Sequence, residues 1–171
     1  NNKVLTGADI NNETRVPVVA EINHNKSDNV MAVSRDSRTA ISEQFRTLRT
    51  NMQYLMTGKD DKVVMMTSSM SGEGKTFIAI NLGSALAISG KKVVIVEMDL
   101  RKPKVSSALG ISNENGMTNY IVTNVPISSI IKSTNIHENC FLVSSGTIPP
   151  NPSELITNPK IVELFTYLRE N

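Results

Sequence analysis

The chain has 171 residues, 39% of them apolar, enough to fill the core of one domain. Eighteen basic against sixteen acidic side chains give a formal net charge of +2, tryptophan is absent and aromatics make up 4%, so neither a strongly basic surface nor a base-stacking platform for nucleic acid is indicated. A single cysteine, Cys140, excludes an internal disulfide framework and suits a reducing cytoplasm, and no apolar run reaches the roughly 20 residues that cross a bilayer.

Residues 1–15 are polar and read as a connector, in which "TGAD" has the capping-box spacing for one short helix. "VPVVAEI", residues 16–22, is a compact apolar run around a proline and predicts a short edge strand. From Ser37 the pattern becomes helical: Ile41, Phe45, Leu48, Met52 and Leu55 recur at spacings of four and three, with Gly58 as the stop. "KVVMMTSS" predicts a buried parallel strand, residues 76–89 a helix ending at Gly90, and "KKVVIVEMD" a second buried strand, together a right-handed crossover. "CFLVSSG" predicts another strand that buries Cys140. "NPSELITNPKIVELFTYLREN" predicts two helices, each with proline just inside and asparagine just before. The alternation implies an α/β fold of P-loop type, a mainly parallel sheet flanked by helices, over residues 16–171.

The sharpest signal lies between the first two strands. Ser71, Gly72, Glu73, Gly74, Lys75 and Thr76 follow the phosphate-loop pattern, except that Ser69 stands where the first glycine is usual. Glycines let consecutive N–H groups curl around a phosphate, and the following helix N-terminus adds positive charge. In this pattern Lys75 bridges β- and γ-phosphate oxygens and the Thr76 hydroxyl joins a Mg²⁺ shell, implying ATP or ADP with Mg²⁺. The second strand ends in Glu97 and Asp99, followed by Arg101, where such sheets collect a metal or a substrate proton.

"SGEGKT", the "DLRKP" turn and "SGTIPPNPSEL" together resemble the bacterial tyrosine kinases of capsule and exopolysaccharide export. These belong to the deviant P-loop ATPases that include the MinD and ParA partitioning proteins, but Met70 stands where the partitioning branch has lysine. The resemblance implies nucleotide contacts from residues 71–77 and Arg101, catalytic roles for Lys75 and Asp99, and metal contacts from Thr76 and Asp99. Glu97 replaces the first aspartate of the family's Walker A′ motif and is assigned to the metal by the same match.

"EQFRTLR" matches the family's Glu, Arg, Arg helix motif, which implies a ring-like homo-oligomer through Glu43, Arg46 and Arg49. At about 100° per residue this trio lies roughly 80 to 200° from the apolar stripe, off the core face. The spacing alone favours an exposed helix with an internal Glu43–Arg46 pair, and it is the resemblance that implies the interface. The resemblance further implies a transmembrane polysaccharide co-polymerase region, in the same chain or a partner, a tyrosine phosphatase as partner, and a place on the cytoplasmic face of the bacterial inner membrane.

Tyrosine needs a base or metal to lose its proton as the phosphoryl bond forms, and Asp99 is the candidate. Tyr54 and Tyr167 fall in helical patterns that suit packing, and Tyr120 suits the anchor of a short helix, so none is nominated as the main acceptor. No apolar strand ending in aspartate follows the phosphate loop other than "VVIVEMD"; the family's Walker B strand is expected beyond Asn171, making residues 16–171 the front two-thirds of a kinase domain. A protein-tyrosine autokinase regulating polysaccharide assembly or export is the primary expectation. A MinD- or ParA-like partitioning ATPase and a non-catalytic, nucleotide-dependent ring scaffold are the alternatives.

Overall fold

The computed structural model describes Val4 and residues 6–171. Residues 1–3 and Leu5 of the expected connector lie outside the described residues. Within the connector the capping-box spacing does start a helix, α1 (Gly7–Glu13), where the Asp9 carboxylate accepts from Thr6 N at 2.9 Å and no residue is buried.

The expected edge strand at residues 16–22 does not form. This segment has no strand partner, and side chains of the next helix, α2 (Ala40–Leu55), meet its backbone at Val19 and just after it at Asn23. Asn51 Nδ2 donates to Val19 O at 2.7 Å, and Gln44 Oε1 accepts from Asn23 N at 2.9 Å.

Thr39 opens α2, its hydroxyl accepting from Ser42 N at 3.2 Å. Ile41, Phe45, Leu48 and Met52 enter a core with Val33, Leu82 and Ala85, as their spacing requires. The helix ends at Leu55, before Gly58, and Leu55 itself is 56% exposed rather than part of the buried stripe. Tyr54 is 77% exposed, against the expectation that it packs; nine residues on from the fully buried Phe45, it points roughly 180° away from the core.

At the centre of the molecule stands α3 (Lys75–Ile88), apolar on nearly every side and buried from Ile80 to Ala85. Edge-on contact between Phe45 and Phe77, with ring centres 5.6 Å apart, joins it to α2. Asn81, fully buried, lays the extended chain before α2 across this helix. Its Oδ1 accepts from Ala32 N at 2.7 Å and Val33 N at 2.9 Å, while its Nδ2 donates to Val30 O and Phe77 O at 2.8 and 2.9 Å. Ser84 Oγ adds a bond to Val33 O at 2.9 Å.

The sheet is small and mixed. Its strands β1 (Val93–Val96), β2 (Ile131–Ser133) and β3 (Cys140–Val143) lie in the order β1-β3-β2. β1 and β3 are parallel, with Ile95 opposite Leu142, in keeping with the mainly parallel sheet that the α/β alternation implies. β2 pairs antiparallel, with Lys132 opposite Leu142, and adds an antiparallel edge to the mainly parallel sheet expected. Cys140 is fully buried in β3, and that burial pushes its thiol pKa up.

The strand expected at residues 62–69 has no ladder either, and the segment leads without regular structure into the phosphate loop. Val63 is 50% and Met65 85% exposed. A cleft of about 1950 Å³ lies between this segment and β1, so the backbone groups facing it have no strand within reach. The crossover thus keeps its helix and second strand while its first strand stays unpaired.

Four further helices and one 3₁₀ turn (Ile127–Ile130) complete the described chain: α4 (Val105–Ala108), α5 (Met117–Thr123), α6 (Pro152–Ile156) and α7 (Pro159–Glu170). The last two begin as their Asn-Pro signals predict, and Asn158 Oδ1 accepts from Lys160 N at 3.0 Å. One core joins Ile80, Ile95, Val105, Leu109, Cys140 and Leu142; another joins Leu100, Met117, Tyr120, Ile130, Val143 and Leu164. Tyr120 anchors α5 as expected: its hydroxyl donates to Glu163 on α7 at 3.1 Å, and burial first, then Glu163, raise its pKa.

Candidate functional site

The phosphate-loop residues sit between the unpaired segment and the start of α3. Gly72 and Gly74 hold φ values of 95° and 98°, a left-handed backbone that residues with a Cβ rarely adopt, while a Cβ at either would meet no neighbour. These glycines are required for their conformation, not for space. Gly74 is also the N-cap of α3, so the unpaired N–H groups of the first turn, with Lys75 and Thr76 at its head, open toward the cleft.

Two charged side chains brace the loop. Lys75 Nζ donates to Ser68 Oγ at 2.7 Å, holding the ammonium across the loop. Glu73 carboxylate accepts from Ser69 Oγ at 3.0 Å and from Met70 N at 3.1 Å; the Met70 N–H first, then the Ser69 hydroxyl, draw its pKa below the ordinary glutamate range. The Glu73 side chain is therefore a strut within the loop. Met70 is 69% exposed at the rim. Phe77, expected among the nucleotide contacts, turns its ring into the α2–α3 core, leaving its backbone N–H as the group available at the helix start.

The Walker A′ turn faces the same cleft. Ser71, Gly72, Lys75 and Thr76 share its lining with Asp99 and Arg101. Asp99 Oδ1 accepts from Arg101 N at 3.2 Å and Lys102 N at 3.0 Å, folding the turn on itself, while Leu100, 2% exposed, plugs it into the core. Glu97 also borders this cleft, but its side chain is 3% exposed, and its carboxylate accepts from Val105 N at 2.5 Å and Ser106 Oγ at 3.1 Å.

The third group of expected residues lies on α2. Glu43 and Arg46 form an ion pair, and Arg46 Nη2 also donates to Ser37 O at 2.7 Å. Arg49 Nη1 donates to Ala85 O on α3 at 3.2 Å. Glu43 is thus the outward member of the trio, while both arginines have acceptors within the chain. Ser68 and Leu100 escaped the sequence reading; a serine in "TSSMS" and a leucine in a charged turn carry no local mark of their contacts.

The oxygen donors Thr76 and Asp99, beside a helix N-terminus and a lysine, suit a magnesium-bound phosphate chain. Among the described residues no group of three or more His, Cys, Asp and Glu side chains gathers at one point.

Fold and site together define an α/β domain of the phosphate-loop class. The chain belongs to the AAA_31 family, described as AAA domain, whose model matches residues 61–167. It is 37% identical over 136 residues to the tyrosine-protein kinase YwqD of Bacillus subtilis, covering 80% of this chain and 56% of that protein. It is 34% identical over 131 residues to the putative tyrosine-protein kinase CapB of Staphylococcus aureus, covering 77% and 57%. The chain therefore spans about half the length of these relatives. Among solved structures it is similar to the chimerical protein CapA2B2, with a TM-score of 0.85 and 32% identity over 95% of this chain and 70% of that one. The kinase domain of the Escherichia coli tyrosine kinase ETK shares the fold, with a TM-score of 0.88 at 22% identity over 97% and 69%.

Proposed function

We propose that this domain binds ATP with Mg²⁺ and serves phosphoryl transfer to protein tyrosine, in the control of capsular or exopolysaccharide assembly and export. The observation that carries the reading is the single cleft onto which both Lys75 with Thr76 and Asp99 with Arg101 open. The names of the relatives, tyrosine-protein kinases, support the choice of tyrosine as acceptor.

In this reading the amides of residues 71–77 grip the phosphates and Lys75 leaves Ser68 to neutralise β- and γ-oxygens. Thr76 and Asp99 hold the metal, which when bound supplies charge neutralisation on the transferring group. Asp99 accepts the tyrosine proton, and Arg101 stabilises charge on the phosphate side. The slot between residues 62–68 and β1 takes a further strand bearing the second metal carboxylate, which completes the sheet. Glu43, Arg46 and Arg49 form the contact for a ring-like homo-oligomer. The arginines exchange Ser37 and Ala85 carbonyls for a neighbour's acceptors. The partners are a polysaccharide co-polymerase in the inner membrane and a tyrosine phosphatase, and the domain works at the cytoplasmic face.

The test uses γ-labelled ATP and an acceptor tyrosine peptide with the full-length protein, wild type and K75M. Label on tyrosine that disappears in K75M supports the reading. Label released only as free phosphate favours a partitioning-type ATPase, and no heat with Mg-ADP in calorimetry overturns nucleotide binding. Alanine at Arg46 and Arg49 lowers the particle mass in solution if α2 is the contact; an unchanged mass removes that part.

A further inference from the structure

We infer that Glu97 is the positioning residue of the turn that carries Asp99 and Arg101, a strut between β1 and α4 in place of a metal ligand. The inference rests on the nucleotide-binding reading above. Glu97 follows β1 directly, and its N–H donates to Val143 O on β3 at 2.9 Å, so its backbone is fixed to the sheet. The side chain is 3% exposed, and both carboxylate oxygens are engaged. Oε1 accepts from Val105 N at 2.5 Å, while Oε2 accepts from Ser106 Oγ at 3.1 Å and lies 3.4 Å from Ser106 N. These donors are the first N–H groups of α4, whose own N-cap, Lys104, makes no side-chain cap bond. A helix start buried at Val105 and Ser106 needs an acceptor, and Glu97 provides it from across the loop.

The consequence falls on residues 98–104, which Glu97 closes at both ends. Between those ends Leu100 is buried and Asp99 caps the amides of Arg101 and Lys102. Release of α4 from Glu97 leaves the turn held only by the packing of Leu100 and Val105, and Asp99 and Arg101 lose their fixed place beside the phosphate loop. Chain length at position 97 matters for the same reason. Aspartate is shorter by one C–C bond, about 1.5 Å. With the backbone tied to Val143 and the α4 amides buried, its carboxylate falls short of them. Glutamine keeps the reach and one acceptor oxygen, and the Ser106 hydroxyl can turn to accept from its amide.

The two roles therefore rank the variants in opposite order. Wild type, E97Q, E97D and S106A are compared by amide hydrogen exchange at Val105 and Ser106 and by calorimetric affinity for ADP with and without Mg²⁺. As a strut, E97D loses at least about tenfold of the exchange protection and binds Mg-ADP at least about fivefold more weakly than E97Q. S106A moves the same way by a smaller factor, with or without the metal, and remains informative if E97D fails to fold. As a metal ligand, E97D keeps charge and oxygens and binds better than E97Q, with the difference vanishing when Mg²⁺ is omitted. That order, or equal protection in all four proteins, overturns the inference. A wild type that binds no Mg-ADP overturns the nucleotide reading instead, and the exchange data still decide the strut.

Discussion

Replacing Asn81 by leucine tests how the extended segment before α2 is held on the phosphate helix. The amide makes four bonds, two accepted and two donated, all between 2.7 and 2.9 Å. Phe77 O keeps its helical partner, so the substitution orphans three groups: Val30 O, Ala32 N and Val33 N. At a net value of about 1 kcal/mol per neutral hydrogen bond the loss is about 3 kcal/mol. If the segment instead lifts off to find water, Val33, 1% exposed, leaves the core, and that costs about 1.5 to 3 kcal/mol. The two routes bracket a loss of about 1.5 to 3 kcal/mol, a large share of the roughly 5 to 15 kcal/mol that stabilises a domain. Urea denaturation measures the loss, and limited proteolysis across residues 23–38 shows whether the segment has lifted. A loss below about 1 kcal/mol with unchanged cleavage refutes the claim that Asn81 clamps this strap.

Tyr120→Phe removes the hydroxyl bond to Glu163 and lowers stability by about 0.5 to 1 kcal/mol in thermal or urea unfolding. Because the folded Tyr120 pKa is raised, its contribution is complete below the free tyrosine value of about 10 and is lost as pH climbs through the folded value; a phenolate absorbance titration follows it, and an ordinary midpoint contradicts the burial argument. Glu73 behaves oppositely. Its depressed carboxylate braces the phosphate loop at neutral pH and releases it as pH falls through its folded value, so nucleotide affinity of E73Q has a shallower acid limb than wild type in a pH series. Arg49→Ala removes the bond to Ala85 O and costs about 0.5 to 1.5 kcal/mol in the monomer, measured by urea unfolding under dilute conditions.

Elements with a local cause were legible in the sequence. The α2 stripe, the phosphate loop with its two glycines, α3 and the Asn-Pro starts of α6 and α7 each follow from residues within a few positions of one another. Elements whose cause is distant were not. "KVVMMTSS" has the composition of a buried strand, but a strand exists only opposite a partner, and the described chain has none beside residues 62–68. "VPVVAEI" meets the side-chain amide of Asn51 on α2, at Val19, where a ladder was expected. α4 has no capping signal of its own because its acceptor, Glu97, comes from the end of β1. At the site the same division holds: the residues that grip phosphate announce themselves, whereas an acid after a strand reads alike whether it meets a metal or a helix. Tyr54 failed for a subtler reason, since a helical pattern states that a residue repeats and leaves open which side it faces.

Whenever the slot beside residues 63–65 is empty, that stretch also bears on how this protein behaves when concentrated. Val63, Val64 and Met65 are bare, and the main chain beside them lacks an opposite row. Such an edge is a template for any extended peptide, a second molecule's equivalent stretch included. Association by that route is driven by main-chain pairing and apolar contact, so added salt does not dissolve it. A soluble strand-forming peptide that occupies the slot keeps the molecules apart.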